Sequence, residues 1–573
     1  MKHLIPYFKK YRLQSILAPV FKMLEACFDL AVPLIVASII DNGIANGDKG
    51  FVVSRFLLLI LMAVLGLLSS FTAQFFAAKA AIGTATGLRH ELMKKVQSLS
   101  FSQLDKIGKS TLITRMTGDI NRVQNGVNMF LRLFMRSPFI VFGAAILAFT
   151  VDKDLALVFV GIIAVLFVVV FGMMKITGPM HKAVQQRLDA VTAQTGESLD
   201  GVRVIRAFSM EDKQKEKFRA VNGDLLGSQL KVGRVSALLN PLTYVVVNTA
   251  IILVLYFGAQ KTDRGLLFSG DIVALINYIG QILIELVKLA NLITLIARSV
   301  ASMERVGQLL DTESSMTYGN KTCGDEKDDI LRFENVSFTY EGAGAPSLSD
   351  ISFSVGKGET VGIIGGTGSG KSTLVHLIAR FYDATDGKVL FKGEDIKEWE
   401  KSALNAGVAL VPQKAQLFSG TVRSNLLWGK NDASDDELWQ ALSMSQAASF
   451  VRERQGGLDA VIEQSGRNLS GGQRQRLTIA RGIASGADIL ILDDSASALD
   501  FATEAALRKA LKALHGEKTV FIVSQRTGSI AHADKILVLD DGNLAGMGNH
   551  EELLAGCEVY REIHESQFRG EAE

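Results

Sequence analysis

Long runs of apolar residues separated by short polar breaks dominate the chain up to about residue 300, after which the pattern shortens and changes period. Six apolar stretches lie near 14–40, 55–80, 130–151, 155–174, 236–259 and 271–298. All six reach the ~20 residues that a helix needs to cross the hydrocarbon core of a bilayer. From residue 329 onward, short apolar runs bounded by Gly and Asp alternate with helical patterns, as in an α/β domain. The pattern predicts a membrane α-helical domain of six transmembrane helices over 1–315, a linker over 316–328 and an α/β domain over 329–573. Spans two and four keep helical periodicity far past the membrane, from about 81 to 129 and from about 180 to 235. Each extension has an interruption suited to a short transverse helix, Phe101–Asp105 in the first and Phe208–Asp212 in the second.

Six spans put both termini on one side, and the Lys and Arg residues of the short loops say which. Lys2, Lys9, Lys10 and Arg12 precede the first span, and the second–third and fourth–fifth connections carry Arg89, Lys94, Lys95, Lys106, Lys109, Lys175, Arg203 and Arg206. The opposite loops hold only Lys49, Lys153, Lys261 and Arg264. Both termini, the long extensions and the α/β domain are therefore expected in the cytoplasm. The first stretch is long, contains charges and lacks a small-residue cleavage pattern, so it is expected to remain as a membrane helix.

Composition narrows the function classes. The 573 residues are 48% hydrophobic, an average of two unlike halves, and a net charge of +2 without a basic stripe excludes nucleic acid as the main partner. Cys27, Cys323 and Cys557 are scattered without metal-ligand spacing, and plain packing is expected of them.

Charges inside apolar spans are costly unless they meet protein or water. Lys22, Glu25 and Asp29 share one helical face of the first span, and Glu285 and Lys288 lie one turn apart in the sixth, near Asn277 and Gln281. Glu25, Asp29, Glu285 and Lys288 are candidates for a translocation path. The other reading of the Lys22, Glu25 and Asp29 group is an internally paired cluster that fixes helix packing.

In the α/β half, the buried strand Val361–Ile364 runs into Gly365, Gly366, Thr367, Gly368, Ser369, Gly370, Lys371, Ser372 and Thr373 ahead of a helix. This is the spacing of a phosphate loop, whose glycines let backbone amides close around phosphates. Lys371 reaches the outer phosphates and Ser372 offers a hydroxyl to Mg²⁺, so ATP and Mg²⁺ are the expected ligands. Further on, the apolar strand Ile489–Leu492 ends in Asp493, suited to the metal side, and Asp494.

Leu469-Ser470-Gly471-Gly472-Gln473, standing ahead of a helix, identifies the wider resemblance. With the phosphate loop it resembles the ATP-binding-cassette exporters, and the wording Ser110–Asp119 and Gly201–Phe208 is similar to the coupling regions of bacterial multidrug-type members. The resemblance implies six long helices followed by an α/β P-loop cassette. It makes Tyr340 the aromatic that stacks on adenine and Gln413 the residue joining the metal site to the coupling groove. Asp500, in Ser497–Asp500, belongs to the loop that crosses between paired sites. It also implies that Ser470, Gly471, Gly472 and Gln473 hold the γ-phosphate of a nucleotide bound by another chain.

Two positions depart from that family. Asp494 stands where a glutamate polarises the attacking water, and Gln525 where a switch histidine contacts the γ-phosphate; Ser495-Ala496 replaces the usual Pro-Thr. One methylene less withdraws the carboxylate by about 1 Å, a misplacement that can cost about 100-fold in rate. The chain thus resembles the degenerate-site subunit of heterodimeric multidrug exporters of the bacterial inner membrane. Its expected partners are a second half-transporter chain, the lipid bilayer and a hydrophobic or amphipathic small molecule. The alternatives are a homodimeric lipid flippase or peptide exporter with weak ATPase activity, and a non-transporting ATP-binding regulatory subunit.

Overall fold

The structure is a computed structural model that describes residues 2–324 and 329–568. Residues 325–328 of the expected linker lie outside the described residues. The chain divides into two compact units. One holds the chain up to Gln97 with Ser110–Thr312; the other holds Ser98–Lys109 with the chain from Glu313 onward.

The first unit contains six apolar spans: Arg12–Ile44, Lys49–Ser98, Lys109–Val151, Lys153–Asp200, Glu211–Asp263 and Ser269–Asp311. A helix satisfies its own backbone, which is why helices serve where water is absent. The second span leaves Phe56, Leu57, Leu61, Leu68, Phe71 and Phe75 exposed, an arrangement stable only against lipid or another apolar surface. Packing inside the unit centres on the sixth span, whose Tyr278, Ile279 and Ile282 meet Leu30, Phe159 and Leu166. The buried Tyr278 hydroxyl donates to the Leu30 carbonyl at 2.8 Å, so its polar end is satisfied.

Arg136 organises the intramembrane charges, and the sequence reading left it out. Its guanidinium donates to Glu285 Oε1 at 2.6 Å and Asp29 Oδ2 at 2.8 Å, with Glu25 Oε1 at 3.8 Å. Ser137 donates to Glu285 Oε2 at 2.7 Å, and Lys288 reaches Glu285 at 2.9 Å. Lys22 bonds Glu25 at 2.5 Å and Ser70 at 3.1 Å. Three cations and three carboxylates from the first, third and sixth spans thus form one neutral network. Spacing along a single helix shows i, i+3 and i+4 neighbours and is blind to an arginine arriving from another helix.

The expected transverse helices differ in outcome. The first is Phe101–Ile107, capped by Ser100 and Gln103. The second is displaced: Val202–Ala207 is the short helix, whereas Phe208, Ser209 and Met210 form the turn after it and Glu211 opens the next long helix. Gly201 breaks the preceding helix, and Ser209 adopts a left-handed φ of 51° that ends the short one. The cysteine expectation also needs correction, since only Cys557 is buried and Cys27 and Cys323 are exposed.

The second unit is built on two larger sheets. The strands in chain order are β1 (Asp329–Phe338), β2 (Leu348–Gly356), β3 (Thr360–Gly365), β4 (Asp386–Phe391), β5 (Glu394–Asp395), β6 (Val408–Val411), β7 (Gly420–Thr421), β8 (Val461–Ile462), β9 (Ile489–Asp493), β10 (Thr519–Val523), β11 (Lys535–Asp540) and β12 (Asn543–Gly548). The order β2-β1-β4-β5 makes an antiparallel sheet, and β12-β11-β3-β10-β9-β6 a six-stranded one that is parallel from β11 to β6. The two pack through Phe333, Phe353, Ile363, Leu374, Ile491 and Phe521. A helical layer packs Leu426, Leu438, Leu442 and Leu477 on the far side of Leu490 and Leu492, so β9 is apolar on both faces.

Removing the guanidinium takes one cation from three carboxylates, leaving Asp29 without its ion pair and a net negative charge in a site where Glu285 keeps 4% of its side chain exposed. Arg136→Leu is expected to destabilise the protein by about 3–5 kcal/mol, with Arg136→Lys less damaging. Thermal unfolding in detergent checks this, and an Arg136→Leu midpoint equal to wild type contradicts it.

Candidate functional site

The parallel sheet gathers the chemistry at one edge. Strands β3, β6, β9 and β10 all run the same way, and their C-terminal ends lead into the phosphate loop, Gln413, Asp493 with Asp494, and Gln525. Residues far apart in sequence therefore meet at the crevice where α/β sheets bind ligands.

Gly368 and Gly370 turn the phosphate loop with φ of 88° and 95°, and a Cβ on Gly370 would lie 2.7 Å from the Ser347 carbonyl oxygen. Lys371 opens the helix Lys371–Ile378 and folds its ammonium back over the loop, donating to the carbonyls of Gly365 at 2.8 Å and Gly366 at 2.5 Å. Gly366, Thr367 and Gly368 are exposed at the loop's tip, while Ser369 and Thr373 are buried. Burial lowers the Lys371 pKa, and the carboxylates of Asp494 and Asp493 partly offset it. A bound phosphate chain would give that ammonium the counter-charge it lacks.

Ser372 donates to Asp493 Oδ1 at 3.2 Å. Asp493 is 5% exposed, and burial raises its pKa, with Asp494 adding to the rise and His376, Ser372 and Lys371 opposing it. A hydroxyl beside a buried carboxylate in need of positive charge fits Mg²⁺, which takes one or two protein oxygens and completes its shell with phosphate and water. Among the described residues no cluster of three or more His, Cys, Asp or Glu could hold a metal by itself.

Asp494 sits at a left-handed φ of 44°, its amide bonded to the Val523 carbonyl at 3.1 Å and its Oδ2 accepting from Gln413 Nε2 at 3.0 Å. Gln413 is thus tied to the carboxylate beside the expected metal ligand. Gln525 follows the same edge with its side chain exposed. A cavity of about 210 Å³ lies beneath, lined by Asp494, Ser495, Glu504, Gln525 and Arg526. Ser495 is buried with its hydroxyl unpartnered.

The signature residues stand apart from these groups. Ser470 caps the helix Gly471–Ala484, its Oγ accepting from the Gln473 amide at 3.2 Å while Gln473 Oε1 accepts from the Ser470 amide at 3.0 Å. Among the described residues no hydrogen bond or ion pair joins Ser470, Gly471, Gly472 or Gln473 to the phosphate loop. Asp500 caps Phe501–Lys512 through Thr503, with both carboxylate oxygens at 2.9 Å. Its side chain therefore serves the helix in this chain.

Tyr340 follows β1 and half-buries its ring against Phe338 and Tyr382, with its hydroxyl 3.2 Å from Thr373 Oγ1. On the other side of Tyr382 lies the short helix Phe101–Ile107. Tyr382 donates to Asp105 Oδ2 at 2.6 Å, Phe101 stacks on Phe381 at 4.3 Å, and Lys106 reaches Glu341 Oε1 at 2.5 Å. The first transverse helix is thus seated beside Tyr340. The sequence reading missed Glu341, Phe381 and Tyr382; the one available signal was an aromatic pair just past the phosphate-loop helix, and no spacing rule connects it to residue 101.

Comparison with known proteins agrees over the whole chain. A family model described as the ABC transporter transmembrane region matches residues 15–286, and one described as ABC transporter matches 348–497. The chain is 34% identical over 568 residues to YfiB, an ABC transporter ATP-binding protein of Bacillus subtilis (strain 168), covering 99% of each. It is 28% identical over 568 residues to the ATP-dependent lipid A-core flippase of Vibrio vulnificus (strain YJ016), covering 99% of this chain and 97% of the flippase. Its fold is that of a solved bacterial Atm1-family ABC exporter with ATP bound, at TM-score 0.80 and 23% identity over 99% of both chains.

Tyr382→Phe removes the hydroxyl held by Asp105 and keeps the ring. It is expected to speed amide hydrogen exchange across Phe101–Ile107 by about fivefold, the loss of about 1 kcal/mol. Exchange there equal to wild type contradicts the seating of that helix through Tyr382.

Proposed function

The chain belongs to the ABC transporter family as an exporter half-transporter that couples ATP hydrolysis to transport across the membrane it spans several times; on that premise we propose that it is the slow-site subunit of an asymmetric exporter. The carrying observation is the sheet edge itself. Asp494 and Gln525 stand there together, with a shortened carboxylate bonded to Gln413 and an amide in the place of the switch imidazole. An amide can hydrogen-bond a phosphate and cannot carry an imidazolium charge.

In this reading the phosphate loop of this chain binds ATP through Lys371 and the loop amides and hydrolyses it slowly. Ser372 and Asp493, with Gln413 adjacent, would hold Mg²⁺, which would supply positive charge to the phosphate oxygens. Ser470 and Gly472, at the N-terminus of an intact capped helix, complete the hydrolytic site of a second half-transporter, where donors preorganised around developing charge do most good. Two bound nucleotides close the cassettes, and hydrolysis at the partner's site resets them. The bacterial relatives support placement in an inner membrane, and the distribution of Lys and Arg supports cytoplasmic termini.

An amphipathic or lipophilic substrate suits a cavity of about 640 Å³ in the membrane unit, lined by apolar Val170, Met173 and Leu239 and by polar Arg122, His181 and Arg298. None of the four charged residues expected on the path lines that cavity; Asp29 and Lys288 keep 46% and 44% of their side chains exposed, so we keep these two as the ones open to a passing substrate. Glu25 and Glu285 are enclosed at 15% and 4%, and we assign them to holding Arg136.

A homodimeric lipid flippase is the second reading, favoured by one feature of that cavity: its lining includes Arg122, His181 and Arg298 and no carboxylate. Basic groups above an apolar wall suit an anionic amphiphile, and one relative is by name a lipid A-core flippase.

Hydrolysis by the chain alone in vesicles separates the readings. The asymmetric reading expects a rate about 100-fold below the complete transporter, little gain from Asp494→Glu while Gln525 remains, and a larger gain from Asp494→Glu with Gln525→His. Robust hydrolysis by the unaltered chain, stimulated by anionic but not zwitterionic lipid, supports the flippase instead. Robust hydrolysis by the Asp494→Glu single variant refutes the claim of two defects.

A further inference from the structure

The last described helix, Glu558–Phe568, touches the one loop on which the reading above depends. We infer that Gln567, with His564 beside it, is a positioning residue that holds the loop Gln525–Thr527 so that the Gln525 side chain faces the γ-phosphate of nucleotide on this chain's phosphate loop. The inference rests on the proposed role of Gln525 and adds what sets its position.

The contact is bidentate. Gln567 Nε2 donates to the Gln525 carbonyl at 2.7 Å, and Gln567 Oε1 accepts from the Thr527 amide at 2.9 Å and the Thr527 hydroxyl at 3.1 Å. His564 Nδ1 lies 3.1 Å from the same hydroxyl. A primary amide offers one donor and one acceptor side by side, and here they match a carbonyl and an N–H two residues apart in the loop. Thr527 is fully buried, so its amide gains a partner that water cannot replace there.

The helix that carries this amide is itself fixed from below. Cys557 precedes it and Tyr560 is fully buried; both pack against Ile364, Ile530, Ile536 and Val538. The Tyr560 hydroxyl lies 2.7 Å from His550 Nδ1. Residues 560, 564 and 567 recur at helical spacing and share one face, with Cys557 just ahead of the helix. Ile364 comes immediately before Gly365, the first residue of the phosphate loop. One side of the last helix is therefore anchored at the root of the phosphate loop and reaches the switch loop with its tip. Asp494 is bonded to Val523 just upstream, and the Arg526 amide to Ser524 Oγ at 2.9 Å, so both ends of the Gln525 loop are braced by short contacts.

A residue that acts through the γ-phosphate has a signature that a general packing residue lacks: it alters ATP binding and spares ADP. The complete transporter, purified with its partner, is labelled with azido-ATP, and the labelled band of this chain is competed by ATP or by ADP. Gln567→Leu is expected to weaken competition by ATP about fivefold to tenfold, as loss of about one net hydrogen bond would, and to leave ADP within about twofold. Gln567→Glu keeps the length and the acceptor for Thr527 but sets a carboxylate oxygen against the Gln525 carbonyl, so it is expected to weaken ATP competition at least as much; being polar and of equal size, it also guards against a folding artefact in the leucine variant. Gln525→Ala should give the same loss of ATP preference, and the double variant no more than either alone. A loss in Gln525→Ala with none in Gln567→Leu overturns the positioning role and leaves the reading of Gln525 standing. No loss in Gln525→Ala overturns that reading and the inference together. Equal weakening of ATP and ADP by Gln567→Leu shows a structural contact only and overturns the inference.

Discussion

The parallel pairing of Ile489–Asp493 with Thr519–Val523 on one side and Val408–Val411 on the other decides which side chains meet at the sheet edge. In register, Val523 lies opposite Asp493 and Val411 opposite Leu492, so Gln413, Asp493, Asp494 and Gln525 emerge within a few residues of one another. A shift of one residue would turn each to the other face. Apolar packing on both faces of the central strands holds that register, and the phosphate loop is delivered to the same edge by β3. Everything proposed about nucleotide chemistry depends on this convergence.

The same geometry explains why the chain is incomplete as an active site. The sheet brings together groups that bind phosphate and a cation, and the signature helix presents Ser470 and the following amides elsewhere, capped and ready but unconnected to the phosphate loop. On the proposed reading a second cassette closes that gap, and Asp494 and Gln525 are the reason for proposing one that differs from this chain: two weakened groups at one edge would be tolerable where the other edge hydrolyses, and costly where both edges are copies of this one.

Much of this was legible in the sequence because the signals are local. The apolar spans, the phosphate loop, the capped signature and the first transverse helix each rest on residues within one or two turns of each other, and the structure has all of them. The second transverse helix was misplaced by several residues because Phe208–Asp212 is polar enough to read as a helix start, while the left-handed Ser209 that makes it a turn carries no glycine to announce it. Arg136 was invisible for a different reason. Its value comes from Asp29 and Glu285, 107 and 149 residues away, and helix periodicity carries no information about which helices pack together. Gln567 and Tyr382 escaped on the same ground, since each matters through a loop distant in sequence.

The membrane unit and the cassette unit each hold polar groups where they are expensive, and they differ in how those groups are satisfied. Arg136 and the five charges around it sum to zero, whereas the buried Asp493 is left with a need for positive charge that a nucleotide-bound cation would meet. The first arrangement is complete within the chain. The second is complete only with ligand, which is what distinguishes a packing network from a binding site.

The most direct test of the asymmetric account is gentle purification of the tagged chain from its native membrane, with mass spectrometry of the intact assembly. The account predicts a second cassette chain at equal stoichiometry, carrying glutamate and histidine at the positions matching Asp494 and Gln525. Recovery of a dimer of this chain alone would contradict it.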